Sequence, residues 1–464
     1  MSERARNIIE RYVIPAVLAA ALIAVAWWGT QQKASAANYK NTAESMYRRA
    51  YGELSDNLYD MESTLAKLLA VNSHGQRILL LDEVWRLSGS AVSCMSQIPL
   101  SHVDTEELNR FVVRVGDYAH SLTKKAIRGE DVSEEDATTL SELRDTCRTL
   151  AEQTAQRLQS GNIPLEAMTA DGYFTAAEEQ TGAAGQEQAG EQAGAGGEEQ
   201  DGQKNEGIAE FPTLIYDGPF SESAEKLQPR GLSGEEVSEE QAKQVAEAVA
   251  GTGLNPTGLV EGSIPAYGFS YTDENGGWVE AEVTKQGGKL LWYMRPASGN
   301  AEGRPEQSEA ERYRDTAIKK LEELGYAGMK ATYAQYYGGA ALINCAATQG
   351  NIILYSDLVK VWVDRETLEV IGLDARNYLF SHVERQLTEP SLPLEEAEAK
   401  ISPKLEIGSR ELALIPITPE TEKLCYEFKC TLGDDSYILY INAEDGSEEQ
   451  VFRIIDSEDG TLVI

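Results

Sequence analysis

The four histidines of this 464-residue chain are the first side chains to test for catalysis or metal binding. They are His74, His102, His120 and His382, and none lies in an H-E-x-x-H motif or another metal-binding spacing. The sequence also contains no nucleophile elbow, phosphate-binding loop or dinucleotide fingerprint. We therefore expect surface, capping or packing roles for the histidines, and we predict no catalytic residue, no cofactor and no metal.

Carboxylates are abundant, and two of them could in principle act as the acid pair of a glycosidase. With 76 acidic residues in the chain, such a coincidence has no predictive value. The pairs Glu239–Glu240 and Glu395–Glu396 fall in the first turns of predicted helices, where negative charge interacts favourably with the helix dipole. The sequence thus favours a protein that is not an enzyme, and a carboxylate-dependent hydrolase is the weaker alternative.

The chain has five cysteines, Cys94, Cys147, Cys345, Cys425 and Cys430. No C-x-x-C spacing is present, so a zinc site or a thioredoxin-type motif lacks its signature. Cys425 and Cys430 could pair locally, but a five-residue offset puts them on opposite faces of one regular strand. Buried free thiols are the expected state.

Aromatic side chains are the better candidates for a binding surface. Tyr333, Tyr336 and Tyr337 share one predicted strand, and Trp278 and Trp292 lie on two others. By alternation, about half of these side chains should pack against a helix, and the rest could contact a protein partner. Exposed strand edges offer a second route to such a contact. We take all five as candidate partner-binding residues.

An apolar run from Tyr12 to Trp28 must position everything that follows. Its 17 residues reach the lower limit for crossing a bilayer. Three arginines precede it, which favours an N-terminus inside, and its closing Trp27–Trp28 pair suits a membrane interface. Ala34–Ala37 resembles a cleavage site, so a cleaved signal peptide is the alternative. We favour an uncleaved membrane anchor over residues 1–37, with the rest of the chain exported.

The exported part is strongly acidic. The whole chain has a net charge of −35, and residues 1–40 contain five basic and two acidic side chains, so the remainder carries −38. Such a body should repel nucleic acid and anionic polymers. We predict no nucleic-acid partner, and no small-molecule ligand is evident.

Residues 38–174 are predicted to form an antiparallel helical bundle. The first helix carries apolar residues in a heptad pattern, namely Tyr47, Tyr51, Leu54, Leu58, Met61, Leu65 and Leu68. Gly75 is a plausible break, and Asp104 and Ser133 are predicted to start the third and fourth helices. The heptad seam could mediate dimerisation, but packing against three partner helices in the same chain is preferred.

Residues 175–207 contain no large apolar side chain, so we predict a flexible acidic linker of Gln, Gly, Ala and Glu. The remainder repeats one pattern, a short helix followed by an antiparallel meander. The copies are predicted at 208–300, 301–385 and 386–464, with helices that open at Ser238, Ser308 and Pro393. Each copy is an α+β unit with its helix on one face of a sheet.

A helix that opens on Ser-x-Glu-Glu or a close variant, followed by hairpins, resembles the PepSY module. Three such units behind a helical region and an anchor resemble the YpeB family of spore germination proteins. The stretches that carry this resemblance are Phe211–Ser221, Tyr355–Asp364 and Gly372–Leu379, with His382 just beyond.

The resemblance implies an N-terminal transmembrane helix, a helical bundle and three PepSY-like units. It also implies a place at the spore inner membrane, with the body facing the cortex. The implied partner is the cortex-lytic hydrolase SleB, which such a protein would stabilise, localise or regulate. An extracytoplasmic sensor or a peptidase-inhibitor-like regulator is the alternative, and a peptidoglycan hydrolase is the weaker one.

Overall fold

The structure is a computed structural model. It describes residues 14–98, 102–130, 132–160, 229–272, 277–299, 301, 303–418, 421–457 and 460–464. The predicted linker at 175–207 and the stretch Phe211–Ser221 lie outside the described residues. The chain forms two compact units, the first made of Met1–Leu65 and Leu80–Lys204 and the second of Ala66–Leu79 and Asn205–Ile464.

Four long helices are described in the first half of the chain, as predicted. They are α1 (Ile14–Ala70), α2 (His74–Gln97), α3 (His102–Ile127) and α4 (Glu134–Gln159). Helix α1 is continuous over 57 residues, although its two ends had been assigned to separate anchor and bundle segments. Helices α1 and α4 run antiparallel, because Glu62 contacts Arg144 and Ser55 contacts Thr154.

The heptad seam of α1 is buried within the single chain. Four of its residues are fully buried, namely Leu54, Leu58, Met61 and Leu65. This confirms that the seam packs against helices of the same chain, and it disfavours dimerisation through the seam. Among the residues that the structure describes, no helix combines the length and the apolar character that a bilayer crossing requires. Tyr12 lies outside the described residues, and so do the side chains of residues 14–24.

Two predicted helix boundaries were wrong and one was confirmed. Helix α1 ends before Val71–Ser73, and Gly75 lies inside the first turn of α2 instead of breaking the chain. Helix α3 begins at His102, two residues before Asp104. Ser133 caps α4 as predicted, because its hydroxyl accepts a hydrogen bond from the backbone of Asp136, whose carboxylate accepts one from Ser133.

A buried ion pair connects α1 to α4. Glu62 is 4% exposed, and its Oε1 accepts hydrogen bonds from Arg144 Nε at 3.2 Å and from Arg148 Nη2 at 3.1 Å. A carboxylate this deeply buried is tolerated only because two guanidinium groups offset its lost hydration.

The described residues from 229 to 464 contain four helices and thirteen strands. The helices are α5 (Glu239–Ala250), α6 (Gln307–Glu323), α7 (Arg376–Ser381) and α8 (Leu394–Glu398). Strands β1 to β8 are Asn255–Val260, Ala266–Thr272, Trp278–Thr284, Leu290–Met294, Met329–Tyr337, Ala340–Gln349, Ile352–Asp364 and Val370–Asp374. Strands β9 to β13 are Glu406–Thr418, Thr421–Leu432, Asp435–Asn442, Glu448–Ser457 and Gly460–Val463.

The three predicted repeats share one sheet. Its strand order is β1-β2-β3-β4-β8-β7-β6-β5-β13-β12-β11-β10-β9, and β9 also pairs in parallel with the start of β7. Eight strands from β5 to β7 and β9 to β13 therefore form a closed circuit. The link between β13 and β5 runs through Gly460, where a Cβ would lie only 2.7 Å from the Cα of Gln335.

Helices α5 and α6 cover one face of this sheet. Ala242 and Ala246 of α5, with Tyr313, Ala317 and Leu321 of α6, join the larger hydrophobic core. A second, smaller hydrophobic core, separate from the one that contains the helix residues, is built around Tyr355, Ile415 and Tyr440. The α+β arrangement with helices on one sheet face follows the prediction.

Three features of the repeats were not predicted. Strand β1 was missed, because Pro256 and Gly258 interrupt its pattern and Gly258 has a positive φ of 106°. The helix that opens at Pro393 is only five residues long. The final strand, Gly460–Val463, pairs with β12 and reaches β5, and thereby joins the third repeat to the second.

All five cysteines are free and buried, as expected. Burial raises the pKa of Cys147, Cys345 and Cys425 to about 12 and that of Cys430 to about 11. These thiols are therefore poor nucleophiles, and they act as small apolar side chains.

Replacing Glu62 should destabilise the helical unit strongly. Glu62→Ala leaves two guanidinium groups without their shared carboxylate, and we expect a loss of about 3 kcal/mol in the free energy of unfolding. The control is Glu44→Ala, which removes an exposed pair with Arg48 and should cost below about 0.5 kcal/mol. Urea unfolding followed by helical circular dichroism measures both; equal losses would contradict this account.

Candidate functional site

Trp278 and Trp292 lie on the sheet face opposite α5 and α6. On β3, Ala281 and Val283 point into the larger core, and on β4 Tyr293 does so, so alternation turns the two tryptophans to the other face. Trp278 is 38% exposed and Trp292 is half-buried. The structure therefore leaves both side chains available, at least in part, to a partner.

The three candidate tyrosines of β5 do not share one surface. Tyr336 is buried in the core, where its ring packs near Tyr313 of α6 and under the guanidinium of Arg365. This corrects its assignment as a surface contact, because alternation sends it toward the helix. Tyr333 is half-buried and Tyr337 is 51% exposed, so these two remain candidates.

The exposed sheet face contains a third tryptophan, which the sequence did not indicate as a candidate partner-binding residue. Trp362 lies between Val361 and Val363, which are both fully buried, so its ring points to the same face as Trp292. Gly372 of β8 lies beneath it: a Cβ there would be 2.7 Å from Met294 Sδ and 3.1 Å from Trp362 Cε3. A glycine at this position lets the thioether and the indole settle over the strand. We call Trp278, Trp292, Met294 and Trp362 the tryptophan face.

A buried ionic cluster contains Asp357 and His382, two residues named with the stretches that carry the family resemblance. Asp357 is fully buried, and Arg385 binds it through Nη1 at 2.7 Å and Nη2 at 2.8 Å. The same guanidinium binds Glu422 of β10 through Nε at 2.8 Å and Nη2 at 2.8 Å. His382 Nδ1 lies 2.7 Å from the Asp357 carboxylate, and its ring stacks on Tyr378. We call Asp357, His382, Arg385 and Glu422 the Asp357 cluster.

The chemistry of the Asp357 cluster is structural. Burial lowers the pKa of Arg385, but its bonds to Glu422 and Asp357 outweigh this and leave the pKa above its usual range. An Asp–His pair can orient a general base, yet within the described chain His382 makes no hydrogen bond to a hydroxyl or thiol side chain. The cluster fastens the segment after α7 to β7 and β10.

A second buried carboxylate lies beside the smaller core. Glu427 is 1% exposed, and its Oε2 accepts hydrogen bonds from Tyr355 at 2.7 Å and Tyr440 at 2.9 Å. Burial, and then the charge of Glu427, raise the pKa of both phenols well above the usual range. These side chains hold β7, β10 and β11 together from inside the strand circuit.

Asp364 organises the turn after β7. Its buried carboxylate accepts hydrogen bonds from Ser298 N at 2.7 Å and from Glu366 N and Thr367 N at 2.9 Å. Burial alone would raise the pKa of Asp364, but the hydrogen bonds prevail and lower it to about 2. The turn sets Leu368 at a positive φ of 61°, which non-glycine residues rarely adopt.

Two of the four histidines make ring-stacking or ionic contacts. In the described part of the chain, no three His, Cys, Asp or Glu side chains are grouped closely enough to hold a metal ion. His120 stacks on Trp85 with ring centroids 4.6 Å apart, and His382 belongs to the Asp357 cluster. The side chain of His102 lies outside the described residues.

Comparisons with known proteins give consistent matches along the chain. A family model described as YpeB N-terminal matches residues 35–164, and one described as YpeB sporulation, PepSY1 and PepSY2 domains matches residues 202–388. The sporulation protein YpeB of Halalkalibacterium halodurans is 27% identical, with 97% of this chain and 98% of the relative covered. The protein of that name from Bacillus subtilis is 23% identical over the same shares.

One solved structure also matches. The Bacillus megaterium YpeB C-terminal domain is 25% identical over 47% of this chain and 99% of that domain, with a TM-score of 0.43.

Fold and comparisons together define an α+β protein with a helical N-terminal region and a β-rich, PepSY-like C-terminal region. The chain belongs to the YpeB family.

Breaking the Asp357 cluster should destabilise the β-rich unit. Arg385→Met leaves Asp357 buried without its main counter-charge, and we expect a loss of about 3–5 kcal/mol in unfolding free energy. The control, Arg376→Met, removes a half-exposed arginine that pairs with Glu282 and Asp374 and should cost under about 1 kcal/mol. Denaturant unfolding followed by tyrosine and tryptophan fluorescence compares them. Equal stability of the two variants would show that the cluster contributes little.

The contribution of Asp364 should depend on pH. Its pKa is about 2 when folded and about 3.9 when unfolded, so above about pH 5 it stabilises the fold by roughly 2.5 kcal/mol. This contribution falls as the pH drops through the folded pKa. Asp364→Asn should thus differ most from the native chain near pH 6 and least near pH 2. Asp315→Asn, at an exposed site on α6, is the control; a difference independent of pH would refute the assignment.

Proposed function

We propose that this protein acts in sporulation and germination as a non-enzymatic partner of a cortex-lytic hydrolase. It would stabilise, localise or regulate that hydrolase, SleB, at the spore inner membrane and so support breakdown of the cortex. Family membership supports the sporulation role, because the relatives in Halalkalibacterium halodurans and Bacillus subtilis are named sporulation protein YpeB. The partner and the location rest on the resemblance and on the sequence.

The observation that carries the non-enzymatic role is how the described carboxylates and histidines are used. Asp357, Asp364 and Glu427 are buried and accept hydrogen bonds from groups that hold strands and turns together, and His382 Nδ1 lies 2.7 Å from the Asp357 carboxylate. Three of the six tryptophans, Trp278, Trp292 and Trp362, lie instead on the sheet face opposite α5 and α6. Tryptophan-rich surfaces with a partly buried ring are favoured at protein–protein contacts.

The proposed membrane anchor and the first helix of the bundle would be parts of one continuous helix. Helix α1 runs without interruption from Ile14 to Ala70, and at 1.5 Å per residue a helix of 57 residues is roughly 85 Å long. Trp27 and Trp28 are both more than 60% exposed, which suits residues that meet a lipid interface. An apolar run held in a membrane would thus place the heptad seam on the same rigid rod.

The negative charge of the chain after position 40 favours a protein partner over an anionic wall polymer. With −38 on the residues after position 40, anionic polymers are repelled at long range, and a partner must be bound through complementary contacts. We assign those contacts to the tryptophan face, and Trp278 is its most exposed member.

The test is binding of purified SleB to the full chain with tryptophan variants. If Trp278 is a central contact, Trp278→Ala should weaken binding roughly 30-fold, as expected for an interface hot spot. Trp85→Ala is the control, because Trp85 is 47% exposed in the helical unit and should not contact the partner. Equal effects of the two substitutions would exclude this face.

Spores of a strain that lacks the protein test the proposed role itself. Spores that lack the protein should contain much less active hydrolase, and restoring the native chain should restore it. The purified chain alone should release no fragments from isolated cortex. An unchanged amount of active hydrolase in the deleted strain would refute the proposal, and digestion of cortex by the pure chain would make it an enzyme.

A further inference from the structure

A groove lies between α5 and α6 on the covered side of the sheet. Its cavity of about 540 Å³ is within the usual size of small-ligand sites. The walls are the last turn of α5 and one side of α6, and the floor is formed by Arg295 and the start of β8. Thr316, Lys319, Lys320 and Glu323 follow the i, i+3, i+4, i+7 spacing, so they share that side of α6.

The groove is locally basic in an acidic protein. Arg295, Lys319 and Lys320 line it, against two carboxylates, Glu323 and Glu369. The local balance is therefore positive, although the chain carries −35 overall. The acidic chain repels an anion at long range, and the cations of the groove attract it only at short range. The groove therefore favours a small anion that can enter it over an anionic polymer.

Two of these cations keep unused hydrogen-bonding capacity. Arg295 binds Glu369 through Nη2, but its Nε is buried and has no hydrogen-bond partner among the described residues. Lys319 is exposed at the rim and makes no ion pair within the part of the chain that is described. Lys320, by contrast, already lies 3.5 Å from the carboxylate of Glu323. The Arg295 side chain as a whole is 34% exposed, so part of its guanidinium can be reached by an acceptor in the groove.

The floor of the groove contains the strained turn. Leu368 lines the cavity, and it is the one non-glycine residue with a positive φ in the described chain. The turn is held by Asp364, whose carbonyl accepts a hydrogen bond from Leu368 N at 3.0 Å. Such backbone conformations persist where the surroundings enforce them, and they recur at ligand-binding positions. Here the turn presents an apolar side chain beside three cations.

We propose that this groove binds a short peptide through a carboxylate. Arg295 and Lys319 hold the carboxylate, and Leu368 with the end of α5 packs against the apolar part of the peptide. The chemistry fits either a C-terminal carboxyl group or an acidic side chain. The groove contains none of the four residues of the tryptophan face, although Arg295 also lines a smaller pocket beside Trp278, and the proposal does not rest on the hydrolase-partner function.

The test is calorimetric titration of the full chain with three capped tripeptides. Acetyl-Ala-Ala-Ala carries only a C-terminal carboxylate, acetyl-Ala-Glu-Ala-amide only a side-chain carboxylate, and acetyl-Ala-Gln-Ala-amide carries none. At least one acid should bind, about tenfold or more tightly than the neutral peptide, which corresponds to one charged hydrogen bond. The acid that binds identifies the source of the carboxylate.

Variants locate the site. Lys319→Gln is at an exposed position and should fold normally, and it should weaken binding of the acid about tenfold. Arg312→Gln is the matched control: it removes the same charge from the same helix, two turns away and outside the cavity, and should change binding less than about twofold. Absence of binding at millimolar peptide, equal binding of the neutral peptide, or equal effects of the two variants would each overturn the proposal.

Discussion

The pairing of β7 with three other strands is the constraint on which the β-rich unit depends. One edge of this 13-residue strand pairs with β6, while the other edge pairs with β9 at its start and with β8 at its end. A bulge between these two regions, where Ala346 and Ala347 face Leu358 and Leu354, lets one edge serve two partners. The bulge also contains Asp357, whose carboxylate binds Arg385 and contacts His382. The same irregularity in β7 therefore allows the strand to pair with both β8 and β9 and places the buried carboxylate of the Asp357 cluster.

The sequence predicted local structure well, because local structure follows from spacing. The heptad in α1, the capping box at Ser133 and the strands around Trp278 and Leu290 agree with the structure to within a few residues. Strand β1 was hidden by Pro256 and Gly258, which are unfavourable in central strands but tolerated at a sheet edge. The merging of three repeats into one sheet could not be predicted from spacing, since it depends on pairs such as Gly460 with Gln335 that are more than 100 positions apart.

The candidate site was predictable only in part, for the same reason. Alternation correctly implied that about half of the aromatic residues would be core, but it could not tell which face of β5 would meet α6, and Tyr336 proved to be core. The sequence drew attention to His382 without indicating its partner. Arg385 and Glu422 carried no signal at all, because a charged residue in an acidic chain looks like surface until its counter-ion is known. Glu62 in the bundle is a second case of this kind.

The open end of the sheet has a consequence for how the protein behaves when crowded. Strand β9 pairs back onto β7 over Leu412–Leu414, so among the described strands β1 is the terminal strand whose outer edge pairs with no other strand. That strand presents exposed Leu259 and Val260, yet Pro256 lacks a donor and the bulge at Gly258 twists the backbone away from a flat ladder. A thirteen-strand sheet would otherwise be an efficient template for stacking copies edge to edge. Pro256 and Gly258 at this edge therefore disfavour edge-to-edge pairing between copies.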